Sequence, residues 1–186
     1  GAHHLQTGEI RPINNAFDKR MQEDPSTAFR YIKFLNHFGN FDIPDKEKQI
    51  IMKHKDMKNV PHIHIRGEFL NGLENPNTDP RKYIQMLMGT GILNRIFPSS
   101  TIDSEHMPTN SKGDRWLSTA WMLKNNDPNH VKDILEKNGW SKQEANDIAY
   151  LVKLYHWYYN LFQLLWDSVF LLKIQHVLYL VKVRRR

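Results

Sequence analysis

The side chains able to do chemistry in this sequence are histidines, carboxylates and basic groups, because cysteine is absent. That absence removes disulfides, thiol nucleophiles and Cys-type zinc sites together. Ten histidines invite a metal reading, yet His62 and His64 stand two apart, which on a helix turns them to different sides. His3-His4 lies in a polar terminal stretch, and no HExxH or paired His-Asp motif occurs. All ten histidines therefore read as structural or solvent-exposed. Two-metal nucleotidyl transfer needs a close Asp-x-Asp pair on a rigid strand. The nearest arrangements are Asp42 with Asp45 and Glu23 with Asp24, and neither sits in a strand-like sequence. Glycines fall at turns and form no phosphate-cradling loop, and no serine-hydrolase elbow is present. Residue by residue, no self-sufficient active site is visible.

The chain has 186 residues, with 26 Lys and Arg against 20 Asp and Glu, a net charge of +6. That length supports one large domain or two small ones with a real core. The 40% hydrophobic and 25% charged residues argue against wholesale disorder. A pI near 9.4 fits a polyanionic partner, nucleic acid first and a membrane surface second; the alternative is charge that only solubilises. The absence of cysteine fits the cytoplasm or another reducing intracellular compartment, an organelle matrix included. Gly1-Ala2-His3-His4 without an initiator Met reads as a fragment or the ordered part of something larger.

The elements that must position these groups are helical. Ile10-Arg11-Pro12-Ile13 suggests a short strand and turn in an otherwise aperiodic stretch. Asp24-Pro25 has the form of an N-cap followed by Pro at the first helical position, and Phe29, Ile32, Lys33 and Phe34 recur at helical spacing up to Gly39. A second helix opens at Pro44 and fades by Met57, and a third starts at Pro61 and nears its end at Gly72. Asp79-Pro80 caps a fourth, broken by Gly89-Thr90-Gly91 before the short apolar piece from Ile92 to Phe97. Residues 98–113, rich in Pro, Ser, Thr and Asn, form a loop. Then come a stripe through Trp116, Ala120, Trp121 and Leu123, a helix capped by Asp127-Pro128 that stops at Asn138-Gly139, and a Ser141 to Glu144 capping box that launches a long helix. No alternating strand pattern of useful length appears. The fold class is all-α.

Leu161 to Val183 is the most apolar stretch and is followed by three arginines. Its length approaches the ~20 residues that cross a bilayer. Asp167, Lys173 and His176 fall inside it, and each mid-membrane charge costs roughly 2.5–3.5 kcal/mol on insertion scales. A helix buried by its neighbours fits better.

One ordered series is more specific: Leu5 to Arg11, then Met21-Gln-Glu23-Asp24-Pro25-Ser-Thr27-Ala-Phe29-Arg30 running to Phe34, then Val60 to Leu70, then Tyr83 to Leu87 with Gly91-Ile92-Leu93 running to Pro98. It resembles the end of the head plus the neck and body of class II tRNA nucleotidyltransferases (CCA-adding enzymes) and bacterial poly(A) polymerases, over about residues 4–100. Arg115-Trp116-Leu117 with Ala120 and Leu123 is similar to the next body helix. The family's catalytic carboxylates belong to a head that would precede Gly1. His4 stands where that family has Asp, Thr27 replaces the first Arg of its neck motif, and Lys33 replaces the third basic residue.

The resemblance implies three segments: 1–22 as the end of the head or a linker, 23–100 as neck and first body helices, and 101–186 as the remaining body of an all-helical poly(A) polymerase C-terminal type. It implies an RNA-binding portion of a template-independent enzyme for CCA addition or polyadenylation. Asp24, Thr27 and Arg30 would contact the nucleotide, while Arg11, Lys33, Arg66, Tyr155 and Tyr158 would contact RNA. Trp157 and Tyr159 stand beside those tyrosines, and the cluster is either a stacking platform or core. A head-bearing parent would use Mg²⁺ with ATP or CTP, none of them held by this chain alone. The partners implied are a tRNA or other RNA 3′ end, the upstream head, and either a ribonucleoprotein or a second copy. The rival reading is a non-catalytic homologue serving as an RNA-binding or scaffold subunit. For Asp24 as an N-cap, the six-residue spacing predicts that Arg30 stays the freer of the two, or else ties to Glu23 or Asp24.

Overall fold

The computed structural model describes residues 16–38, 41–105, 107 and 115–161. These form helices and turns, with no strand among the described residues. The helices are α1 (Phe17–Glu23), α2 (Thr27–His37), α3 (Asp45–Lys53), α4 (His62–Glu74), α5 (Pro80–Gly89), α6 (Ile92–Ile96), α7 (Arg115–Met122), α8 (Pro128–Lys137) and α9 (142–161). Arg11, the strand expected at 10–13 and the apolar stretch 162–183 lie outside the described residues. No helix among the described residues is long and apolar enough to cross a membrane.

Local signals set several helix ends. The Asp79 carboxylate accepts the Arg81 N–H at 2.9 Å, and Asp127 accepts those of Asn129 and His130 at 2.9 and 3.1 Å. Each thereby satisfies donors that have no intrahelical partner. The capping box is reciprocal: Ser141 N–H donates to Glu144 Oε2 at 2.8 Å, and Glu144 N–H donates to Ser141 Oγ at 3.2 Å. Gly139 ends α8 with φ +88°, and a Cβ there would lie 3.0 Å from the Ile63 backbone nitrogen. Only glycine suits both the left-handed turn and that approach to α4.

α1 differs from expectation, since the stretch before residue 23 is helical from Phe17. Phe17 and Met21, one turn apart, are buried at 5% and 1% exposure. Phe17 meets Tyr31 of α2 with ring centroids 5.0 Å apart, so tertiary packing sustains a helix too short to stand alone. Asp18 ties α1 to the end of α3, with His54 at 3.1 Å and Lys53 at 3.4 Å.

Two compact units divide the chain between Val152 and Lys153. In the first, α2 packs on α4 and α5, α4 on α5 and α7, and α5 on α6. Phe69 of α4 lies at the centre of an aromatic cluster, with Tyr83, Phe97 and Trp140 at centroid distances of 6.4, 5.5 and 6.3 Å. Burial raises the Tyr83 phenol far above its ordinary pKa, with Glu68 adding to the effect. The neutral hydroxyl donates to the Phe69 carbonyl at 3.2 Å. Asn36 of α2 fixes the approach of α5: its amide donates to the Asp79 carbonyl at 3.1 Å, and its Oδ1 accepts the Asp79 N–H at 2.9 Å.

In the second unit the described residues are 153–161, which are helical. Trp157, Tyr158 and Tyr159 there are exposed at 63%, 64% and 64%, and Tyr155 is half-buried.

Candidate nucleotide and RNA interface

Asp24, Thr27 and Arg30 converge at the turn between α1 and α2. The turn reshapes the expected cap. Asp24 is the residue that ends α1, with extended φ −143° and ψ 93°, and Ser26 occupies the N-cap position of α2. Asp24 Oδ1 nevertheless serves the turn, accepting from Ser26 N–H at 3.0 Å and from Ser26 Oγ at 2.6 Å. This is the local carboxylate-to-backbone bonding that Asp offers at helix starts. With one carboxylate oxygen so used, the other accepts from Arg30 Nη2. The same guanidinium nitrogen donates to Thr27 Oγ1 at 3.3 Å.

Arg30 is therefore engaged rather than free. The helical spacing that separates positions 24 and 30 does not apply, because Asp24 lies off the helix and its extended backbone carries its carboxylate back across the first turn. Burial pushes the Asp24 carboxyl upward, but the two bonds from Ser26 and the Arg30 charge outweigh it and hold its pKa below 3.8. The pair remains accessible, with the Arg30 and Asp24 side chains 51% and 44% exposed.

Sequence reasoning missed two members of this cluster, Ser26 and His64. Ser26 is fully buried and its single hydroxyl proton goes to Asp24. The contact between Ser26 Oγ and His64 Nε2, at 3.2 Å, is then donated by the imidazole, which places a proton on Nε2. His64 reaches it from the first turn of α4. No short-range signal indicated that contact, because 38 positions separate the partners.

The other expected contacts are dispersed. Lys33 lies on α2 one turn beyond Arg30 and is half-buried. Arg66 is turned into the protein: Nη2 pairs with Glu144 Oε1, the guanidinium carbon lies 5.9 Å from the Trp140 ring centre, and its side chain is only 19% exposed. Tyr155 and Tyr158 belong to the second unit. Between α3 and α5 a groove of about 430 Å³ is lined by Asp42, Ile43, Lys48, Arg81, Lys82 and Met86, among others. It does not include the Asp24 cluster. Among the described residues no group of three His, Asp or Glu side chains is placed to hold a metal ion.

Comparison with known proteins yields no match to a family model, a curated protein or a solved structure.

Proposed function

We propose that this chain is the RNA-binding neck and body portion of a template-independent RNA nucleotidyltransferase, of the type that adds CCA or poly(A) to RNA 3′ ends. The observation that carries this reading is the Asp24–Arg30 pair with Thr27 against the guanidinium. A half-exposed carboxylate beside a guanidinium offers acceptor and donor positions side by side, which is the chemistry needed to meet the edge of a nucleobase. Thr27 has one short hydroxyl where the family has an arginine, and Arg30 reaches the same carboxylate from one turn further along.

On this reading Mg²⁺ and ATP or CTP would be handled by an upstream catalytic head. The chain's part would be to complete one wall of the nucleotide pocket and to hold a tRNA or other RNA 3′ end. The substitution at Thr27 favours a second reading, in which the same fold serves as a non-catalytic RNA-binding or scaffold subunit.

Nucleotide incorporation by a head-bearing parent tests the pocket. Arg30→Ala should lower incorporation with little loss of fold, and Thr27→Arg should shift the ATP to CTP ratio. Unchanged kinetics in both variants would leave the scaffold reading. Affinity of the chain for tRNA, measured from low to physiological salt, tests the RNA role: it should weaken steeply as salt rises, because released counterions drive phosphate binding.

A further inference from the structure

We infer that the solvent face of α2 is a platform for single-stranded RNA, with bases stacked on Phe34 and Phe38 and phosphates on Arg30 and Lys33, which precede them on the same face. The inference rests on the RNA-binding reading above and names the surface that would perform it. At about 100° per residue, Thr27, Arg30, Lys33, Phe34, His37 and Phe38 fall within an arc of about 140°. The opposite side of the helix, with Phe29, Ile32 and Leu35, fills the core at 0–1% exposure. Phe34 and Phe38 are thus surplus to the core, and they stand 47% and 53% exposed.

Their rings lie 4.5 Å apart at a 51° tilt, and the His37 ring meets Phe38 edge-on at 4.9 Å. Three aromatic rings in a row on one helix end form a surface, not scattered apolar residues.

Charge decides the occupant. The α2 sequence, TAFRYIKFLNH, carries two fixed cations and a histidine and no carboxylate. Just before it Glu23 pairs with Lys19 at 4.0 Å and Asp24 pairs with Arg30, which leaves the face a small positive balance carried by Lys33. A polypeptide-docking face is depleted of charge at its centre, whereas cations beside exposed rings are what a flexible polyanion with free bases requires. A duplex keeps its bases stacked on one another and gains nothing from the rings.

The test uses the full chain and a fluorescein-labelled single-stranded oligoadenylate of about ten nucleotides, with a duplex of equal length as control, followed by anisotropy. The double substitution Phe34→Leu with Phe38→Leu keeps apolar bulk and removes the π-faces. Single-strand affinity should fall about fivefold or more, from the stacking contribution of each base, while duplex affinity and thermal midpoint stay unchanged. Photocrosslinking of a bromouridine-substituted strand to the unaltered chain should label Phe34 or Phe38, which keeps the test independent of variant folding. If the unaltered chain binds neither RNA at low salt, the RNA reading fails and the platform with it. If the chain binds and the double variant binds equally tightly, the platform alone is overturned. It is also overturned if the substitutions abolish self-association in sedimentation without altering RNA affinity, since the face would then belong to a second copy.

Discussion

The Arg30 guanidinium closes back across the turn between α1 and α2 onto the Asp24 carboxylate, whose other oxygen is held by Ser26. Six positions and a helix end separate the two residues. The pair gives the exposed start of α2 a fixed donor and acceptor, and it anchors a turn whose Ser26 is fully buried.

Removal of that carboxylate should loosen the turn. Asp24→Ala leaves the Ser26 N–H and hydroxyl without their acceptor and should cost about 1 kcal/mol in chemical denaturation. Asp24→Asn, which keeps an acceptor and loses the charge, should recover part of it.

Acid should act on the same turn. The Asp24 carboxyl is depressed below its ordinary 3.8, so its contribution to stability is complete above that value and is lost as pH falls from there through the folded-state pKa. Asp18 behaves alike, held down chiefly by its bond to His54, with burial opposing and Lys53 assisting. Denaturation midpoints followed below about pH 5 should fall less steeply in Asp24→Asn than in the unaltered chain; parallel curves would show that Asp24 has no part in the acid limb.

Gly72 faces the buried ring of Tyr83. A Cβ at that position would come within 2.1 Å of Tyr83 Cζ, and the ring is fully buried, with its hydroxyl held by Phe69. Gly72→Ala should destabilise by about 1–3 kcal/mol through overpacking, despite the better helix propensity of alanine. A melting temperature at or above that of the parent chain would contradict the packing described here.

Asn36 answers both backbone polar groups of Asp79. Asn36→Leu removes two hydrogen bonds at a site only 5% exposed. It strands the Asp79 N–H where α2 meets α5, at about 1–3 kcal/mol for a donor left unsatisfied, while the Asp79 carbonyl keeps the Tyr83 N–H at 3.0 Å. Equilibrium unfolding in urea measures the loss.

Arg66 should behave as part of the fold. With its guanidinium on Glu144 and against Trp140, Arg66→Met should lower stability by about 1.5–3 kcal/mol, the range for hydrogen bonds to charged groups. RNA affinity should change less than about twofold, because a guanidinium already held by Glu144 adds at most one phosphate contact. A large loss of RNA binding with unchanged stability would return Arg66 to the RNA surface.

What the sequence determined by itself is what short-range chemistry determines. Asp79-Pro80, Asp127-Pro128 and the Ser141 to Glu144 box act over two or three residues, and each caps the helix it was expected to cap. The apolar spacing likewise identified helices, because a helix buries every third or fourth residue wherever its partner lies. Tertiary structure decided the rest. α1 exists because Phe17 finds Tyr31, and Asp24 moved from cap to turn because that helix ends on it. His64 joined Ser26 across 38 positions, and Arg66 found Glu144 across 78. A basic side chain has the same sequence signature whether it faces solvent or a carboxylate on another helix. Only the packing of α4 against its neighbours turned Arg66 inward, while the solvent face of α2 left Arg30, Phe34 and Phe38 outside.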